Sequence, residues 1–190
     1  LIFDEVVTGF RFSYGGAQEY YGVTPDLCTL GKAVAGGYPL TAVAGRHEMM
    51  AHFDASATEG EGFLPQVGTL SGNPVASVAG LATLEILRQP GTYERLFATG
   101  QQLKSALQRL LNEAEIPAAV VGEAPLFDVF FTESEISDYR STLSADMEML
   151  GRFNGLLMER GIFKGLSKYY ISTAHTQDDV DETIEAFASA

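Results

Sequence analysis

The 190-residue sequence contains little cysteine and little positive charge. Its single cysteine, Cys28, excludes an intramolecular disulfide and is compatible with a reducing compartment, so we expect a cytoplasmic protein. The chain has 12 lysine and arginine residues against 25 aspartate and glutamate residues, and its net charge is -13. No basic cluster interrupts this acidity. We therefore expect neither nucleic acid nor a membrane surface as a partner.

Long apolar runs and histidine clusters are also absent. No run approaches the length of a membrane span, and no signal-peptide pattern opens the chain. His47 and His52 lie five positions apart without further ligands in view, so we expect no metal site. The hydrophobic fraction of 46% is enough for a folded core. Because Leu1-Ile2-Phe3 is typical of a buried strand, we interpret the chain as a fragment, the C-terminal part of a longer polypeptide.

The pattern of apolar residues predicts an α/β protein with a boundary near residue 90. Pro90-Gly91 separates a sheet fragment from a compact unit of helix, strand, strand, helix, strand and helix. The predicted strands cover residues 1–7, 27–30, 40–45, 118–121, 126–131 and 170–173. The predicted helices cover residues 15–22, 47–52, 75–87, 93–114, 146–160 and 177–188. Predicted loops cover the polar stretch 133–144 and residues 54–72, the latter functional or mobile.

Lys32 lies in a stretch of small and apolar residues that contains Gly31, Gly36 and Gly37. A buried ammonium is costly, and a lysine in dry surroundings has a lowered pKa and becomes a nucleophile. Lys32 is therefore a candidate for a Schiff-base lysine. The alternative is a lysine at a strand end whose ammonium reaches water, and this window alone favours that alternative.

Asp4 lies near the end of the first predicted strand, which we expect to be a central strand of a parallel sheet. Open α/β sheets bind ligands at the carboxyl ends of their strands. Asp4 and Val6 point the same way on a strand, so the carboxylate could hold a protonated ring nitrogen while the valine packs on the ring. The alternative is an aspartate that caps the following turn.

A third motif, Gly68-Thr69-Leu70-Ser71-Gly72-Asn73-Pro74, precedes the helix predicted over 75–87, whose apolar face includes Val78 and Leu81. Thr69 and Ser71 place hydroxyls just ahead of that helix, which predicts an anion site. The alternative is a plain helix cap. Together the three motifs offer a partner for a pyridinium nitrogen, an amine for an aldehyde and donors for a phosphate, which are the groups of pyridoxal phosphate.

The sequence resembles the class III aminotransferases, in the branch that is similar to glutamate-1-semialdehyde 2,1-aminomutase. The motifs that carry the resemblance are Leu-Ile-Phe-Asp-Glu-Val with Thr-Gly-Phe-Arg over 1–11, Leu-Gly-Lys-Ala-Val-Ala-Gly-Gly-Tyr-Pro over 30–39, the third motif over 68–74, and Ser-Thr-Ala-His-Thr over 172–176. The resemblance implies a fold type I transferase. Residues 1–90 would be the C-terminal part of its cofactor-binding large domain, with a mostly parallel sheet, and residues 91–190 a small α/β domain.

The resemblance also implies roles for four residues. Lys32 would form the Schiff base with the cofactor and later carry the proton between the substrate and the cofactor. Asp4 would keep the ring nitrogen protonated, and Val6 would pack on the ring. Thr69 would donate to the cofactor phosphate across the interface of a homodimer that shares its active sites.

The expected activity is transfer of an amino group between a small-molecule amino donor and a keto or aldehyde acceptor. The aminomutase would be expected to have a glutamate in the loop before the last strand, and residues 163–170 contain no acid. This departure favours transfer between two molecules. The alternatives are the aminomutase or a racemase on the same scaffold, or a noncatalytic truncated fragment.

Overall fold

The computed structural model describes residues 1–58 and 62–190. The chain divides into two compact units, Leu1–Tyr93 and Glu94–Ala190. The assignment of residues 1–90 and 91–190 to a large and a small domain of a longer protein remains a prediction.

The first unit is built on a sheet of three strands in the order β1-β2-β3. β1 is parallel to β2, and β3 is antiparallel to β2. The strands are β1 (Ile2–Glu5), β2 (Leu27–Leu30) and β3 (Ala42–Gly45). The helices are α1 (Gly16–Tyr21), α2 (His47–Met50) and α3 (Pro74–Leu87), with 3₁₀ turns at Lys32–Ala35 and Ala51–Phe53. The predicted positions of β2, α1 and α3 are confirmed within about two residues at each end.

The predicted strand at the start of the chain is confirmed, and it runs parallel to its neighbour β2. Within 1–58 and 62–190, β1 pairs only with β2, so its central position in a sheet stays a prediction. β3 is antiparallel to β2, and residues 31–41 connect the two strands through the 3₁₀ turn Lys32–Ala35. Of the predicted loop 54–72, residues 59–61 lie outside the described residues, and the described parts consist of turns and irregular backbone.

The helix α3 begins at a capped N-terminus and buries its small residues. Asn73 Oδ1 accepts hydrogen bonds from the backbone N–H groups of Val75 (2.9 Å) and Ala76 (3.2 Å). Ala76 and Gly80 are the buried residues of the helix, whereas the predicted apolar face at Val78 and Leu81 is exposed. The helix is apolar on nearly all sides, so its sequence does not indicate which side is buried.

The second unit packs helices on an antiparallel sheet of order β4-β5-β6. Its core contains apolar residues from both the helices and the strands, including Leu107, Phe127, Val129 and Leu157. The strands are β4 (Ala118–Glu123), β5 (Leu126–Phe131) and β6 (Tyr169–Tyr170), and the helices are α4 (Thr92–Glu113), α5 (Tyr139–Thr142), α6 (Met147–Glu159) and α7 (Gln177–Ser189). The predicted order of long elements is confirmed. The short α5 lies inside the predicted polar loop, because Asp138 and Ser141 form a capping box there.

A buried ion pair lies in the second unit. The ammonium Nζ of Lys164 is 3.3 Å from Asp128 Oδ1, and the Lys164 side chain is only 1% exposed. The same ammonium lies over the ring of Tyr169, 5.0 Å from its centroid. The hydroxyl of Tyr169 is buried without a hydrogen-bond partner in the described part of the chain. Burial, and then the nearby charge of Asp128, raise the pKa of Tyr169 above its ordinary value.

Candidate functional site

The carboxyl ends of β1 and β2 lie side by side at one edge of the sheet. The parallel register places Asp4 beside Thr29 and Glu5 beside Leu30. Asp4 Oδ1 accepts a hydrogen bond from the backbone N–H of Val6 (3.0 Å) and another from the hydroxyl of Thr29 (3.2 Å). Asp4 therefore does cap the turn after β1, as the alternative interpretation predicts. Its Oδ2 has no hydrogen-bond partner among the described residues, and the side chain is exposed, so this oxygen is available to a ligand.

Val6 lies against the backbone that leads into Lys32. A Cβ built on Gly31 would be 3.4 Å from Cγ1 of Val6 and 3.6 Å from Cγ2 of Thr41. A Cβ at Gly31 would thus make only ordinary van der Waals contacts, and these distances show that the residues after β1 and before β3 lie beside the end of β2. The structure therefore brings Asp4, Val6 and the backbone of Lys32 to the same sheet edge.

Lys32 is exposed, as the alternative of an ammonium that reaches water predicts, and its role as a Schiff-base lysine stays a prediction. It opens the 3₁₀ turn Lys32–Ala35 with a left-handed φ of 48°. Val34 and Ala35 of the same turn are buried instead. The apolar residues near Lys32 in sequence pack inward, and the turn leaves the lysine on the outside. Its Nζ makes no hydrogen bond or ion pair within residues 1–58 and 62–190.

Thr69 lies in a cavity of about 630 Å³ that is also lined by Thr41, whose Cγ2 would be 3.6 Å from a Cβ built on Gly31. The other lining residues are Pro39, Leu40, Gln66, Gly68, Leu70, Ser71 and Gly72. In the part of the chain that the structure describes, neither the N–H nor the hydroxyl of Thr69 has a hydrogen-bond partner. Because Asn73 already accepts from the first N–H groups of α3, the N–H and hydroxyl of Thr69, and not those helix N–H groups, are available to an anion.

The polar groups fit the three parts of pyridoxal phosphate. A carboxylate oxygen at Asp4, an amine at Lys32 and two donors at Thr69 are each without a partner among the described residues, and each matches a different part of that cofactor. No group of three or more His, Cys, Asp or Glu side chains that could hold a metal ion occurs in the described ranges. His52 contacts the carbonyl oxygen of Gly62 at 2.9 Å.

Glu5 has a role that the sequence does not predict. It is 1% exposed, and its carboxylate accepts hydrogen bonds from the N–H groups of Ala17 (2.8 Å) and Gln18 (2.9 Å) and from the hydroxyl of Thr8 (2.8 Å). A Cβ on Gly16 would lie 2.6 Å from Glu5 Oε2, so this contact needs glycine. The sequence signal that could have indicated this role is the Gly15-Gly16 pair at the start of the short helix α1. Glu5 fixes α1 behind the site and leaves Asp4 on the open face.

The loop before the last strand divides into exposed and buried parts. Phe163 and Leu166 are 85% and 91% exposed, whereas Lys164 is buried on Asp128. No acidic residue lies in 163–170, as the sequence shows.

Across residues 1–58 and 62–190, no helix combines the length and apolar character needed to cross a membrane.

Comparison with curated proteins reveals close relatives over the whole chain. Glutamate-1-semialdehyde 2,1-aminomutase of Desulfitobacterium hafniense (strain DSM 10664 / DCB-2) is 44% identical over 188 residues, which are 97% of this chain and 43% of the relative. The enzyme of that name from Methanosphaera stadtmanae is 42% identical over 193 residues, covering 100% of this chain and 44% of the relative. The chain thus spans less than half the length of these relatives.

Solved structures of transaminases also match over the whole chain. An omega-transaminase from Sphaerobacter thermophilus matches with a TM-score of 0.91 and 38% identity, covering 100% of this chain and 43% of that chain. A transaminase with PLP bound matches with a TM-score of 0.84 and 33% identity, again covering 100% and 43%. These matches confirm the predicted fold class and support pyridoxal phosphate as the cofactor. The family model of the class-III aminotransferases matches residues 1–188, and the chain belongs to that family.

Proposed function

We propose that the chain is part of a pyridoxal-phosphate-dependent aminotransferase that moves an amino group from an amino donor to a keto or aldehyde acceptor. The observation that carries this proposal is the placement of two unpartnered groups, Asp4 Oδ2 and the Lys32 amine, just at and after the carboxyl ends of adjacent strands. Membership of the family supports it.

Each residue of the site has a distinct task in this proposal. When bound, the cofactor supplies an aldehyde and a protonated ring that withdraws electrons from the substrate. Asp4 holds the proton on the ring nitrogen through Oδ2, while its two hydrogen bonds through Oδ1 fix the carboxylate. The Lys32 amine would hold the cofactor by condensing with its aldehyde, with release of water. Once the amine of the substrate has displaced it, the free Lys32 amine would accept and return the substrate proton. Val6 packs on the ring, and the N–H and hydroxyl of Thr69 bind the phosphate.

A homodimer forms part of the same proposal, with Thr69 reaching the site of the partner subunit. The exposed apolar side chains of α3 support such an interface, because large apolar patches on a folded surface mark contact sites. They are Val75, Val78, Leu81 and Ile86. A cytoplasmic location is consistent with a buried, free Cys28.

Two other functions have observations in their favour. The curated relatives carry the name of the aminomutase, which transfers the amino group within one molecule. The absence of an acid over 163–170 favours transfer between two molecules instead. Turnover of a single substrate without a keto acid would favour the aminomutase or a racemase. The exposure of Lys32 favours a noncatalytic fragment for the 190-residue chain expressed alone.

The proposal is tested by the absorbance of the full-length protein with added pyridoxal phosphate. We expect a visible cofactor band in the wild type and in Lys104→Ala, which removes a half-buried lysine of α4 that donates to the carbonyl oxygen of Gly122 in the second unit. We expect Lys32→Ala to lack the band and to lose amino transfer. A Lys32→Ala protein that keeps both would refute the proposed role of Lys32.

A further inference from the structure

The helix α3 contacts the Lys32 turn (residues 32–35) through its small residues. Ala76, Gly80 and Thr83 follow an i, i+4, i+7 spacing, so they lie on one face of the helix. Ala76 and Gly80 are buried there. Four large apolar side chains of α3 are exposed on its other sides, namely Val75, Val78, Leu81 and Ile86. The small residues on the face toward the Lys32 turn therefore allow the backbone of α3 to approach the backbone of the turn closely.

Gly80 is the point of closest approach to the turn. A Cβ at this position would lie 2.8 Å from Leu40 Cδ2 and 3.1 Å from the carbonyl oxygen of Val34. The leucine atom is the far end of a flexible side chain and can move away. The Val34 oxygen belongs to the backbone of the Lys32 turn. A side chain at position 80 therefore displaces the turn by a few tenths of an ångström.

Thr83 makes a second contact, at the end of the turn. A Cβ on Gly36 would lie 2.5 Å from Thr83 Oγ1, and Gly36 has a left-handed φ of 54°. The threonine hydroxyl is held in place because it donates to the carbonyl oxygen of Ala79 (2.8 Å). The N–H of Gly36 donates a hydrogen bond of 3.2 Å to the carbonyl oxygen of Ala33, which closes the turn. Helix α3 thus fixes the turn at two points.

We propose that Gly80 and Thr83 are positioning residues that set where the Lys32 amine lies relative to Asp4. Lys32 has a left-handed backbone, which is unfavourable for a lysine and persists only where the surroundings impose it. The close approach of α3 to Val34 and Gly36 holds the turn, and with it the left-handed conformation of Lys32. This inference rests on the proposed role of Lys32.

The test compares Gly80→Ala with a matched control in the full-length holoenzyme. Gly155→Ala is the control, because Gly155 lies inside helix α6 and a Cβ there meets nothing within 4 Å. We expect kcat of Gly80→Ala to fall about tenfold while KM for the amino donor stays within about twofold, because misplacement of a reacting group lowers the rate of the chemical step. We also expect the midpoint of the pH titration of the cofactor band to shift. Gly155→Ala keeps wild-type values.

The double variant Gly80→Ala with Leu40→Ala separates positioning from local packing. It removes the leucine contact and keeps the contact with the Val34 oxygen, so we expect no recovery of kcat. Recovery would overturn the proposal. So would a Gly80→Ala protein that has a lowered melting temperature but wild-type kcat and wild-type cofactor titration.

Thr83→Val provides the second variant in case Gly80→Ala does not fold. It replaces the hydroxyl beside Gly36 with a larger methyl group and keeps the branched shape, and we expect kcat to fall about threefold. An unchanged kcat would overturn the proposal. Lys32→Ala is assayed in parallel. If it keeps both the cofactor band and amino transfer, the proposed function itself fails; if it loses both while Gly80→Ala behaves as the control, only the positioning role fails.

Discussion

Asp4 and Thr29 lie opposite each other on parallel strands, and the Thr29 hydroxyl donates a hydrogen bond of 3.2 Å to Asp4 Oδ1. The bond joins the ends of β1 and β2, the two strands that carry the proposed ring partner and lead into the Lys32 turn. Together with the N–H of Val6 it holds one carboxylate oxygen and leaves the other free.

Replacing Thr29 with valine should weaken cofactor binding in the full-length protein. The change removes one of two donors to Asp4, and a hydrogen bond to a charged group contributes about 1.5–3 kcal/mol, so we expect the Kd for pyridoxal phosphate to rise at least about tenfold. Thr29→Ser keeps the hydroxyl and should bind as the wild type does. Equal affinities for the valine and serine variants, measured by titration of the cofactor absorbance, would contradict this role.

Asp4→Asn should lower kcat without unfolding the protein. The amide oxygen can still accept from Val6 and Thr29, but the negative charge that keeps a ring nitrogen protonated is lost. Loss of such electrostatic stabilisation costs about a hundredfold in kcat. Circular dichroism checks the fold and steady-state kinetics the rate. A variant with wild-type kcat would exclude Asp4 as the ring partner.

Glu5→Gln should destabilise the first unit. The carboxylate accepts from two backbone N–H groups and one hydroxyl, and the amide would place N–H donors against some of them. We expect a loss of about 1–3 kcal/mol in the free energy of unfolding in urea. Glu48→Gln, on the exposed helix α2, is the control and should change stability little. Equal stability of the two variants would argue against the capping role of Glu5.

Lys164→Met should destabilise the second unit, because it leaves the carboxylate of Asp128 buried without its partner. Breaking a buried ion pair on one side costs about 3–5 kcal/mol. Adding Asp128→Asn should recover part of this loss, since no uncompensated charge then remains buried. Denaturant unfolding of the single and double variants measures both effects. A double variant less stable than Lys164→Met would contradict the explanation.

The N-terminus of α7 should respond to acid through Asp179. The backbone N–H of Thr176 and then its hydroxyl lower the pKa of Asp179 below its ordinary value. The folded carboxylate is therefore favoured above the unfolded pKa, and this contribution is lost as the pH falls through the lowered pKa. Thr176→Val keeps the N–H and removes the hydroxyl, so the NMR titration midpoint of Asp179 should move up part of the way. An unchanged midpoint would show that the hydroxyl has no part in the shift.

The sequence predicts elements well where local pattern alone decides them. β2 and β5 begin and end at the predicted residues, Leu27–Leu30 and Leu126–Phe131, because short apolar runs between turn residues define them. The motifs at Asp4, Lys32 and Thr69 also predict the family, since their order along the chain is specific to it.

Tertiary contacts decide what the sequence does not predict. The same apolar stretch around Lys32 is compatible with a buried or an exposed lysine, and the outcome depends on Val34 and Ala35 packing under α3. The buried face of α3 is likewise set by the close approach at Gly80, and not by its larger apolar side chains. Glu5 escapes prediction because its partners are backbone N–H groups, which every sequence contains.

Borohydride reduction of the full-length protein with bound pyridoxal phosphate, followed by mass mapping of its peptides, tests the central claim most directly. Reduction fixes the cofactor to the lysine that carries it. The account predicts a single modified peptide containing Lys32, in the wild type and in Lys104→Ala. Modification of another lysine, with the peptide of Lys32 unmodified, would contradict it.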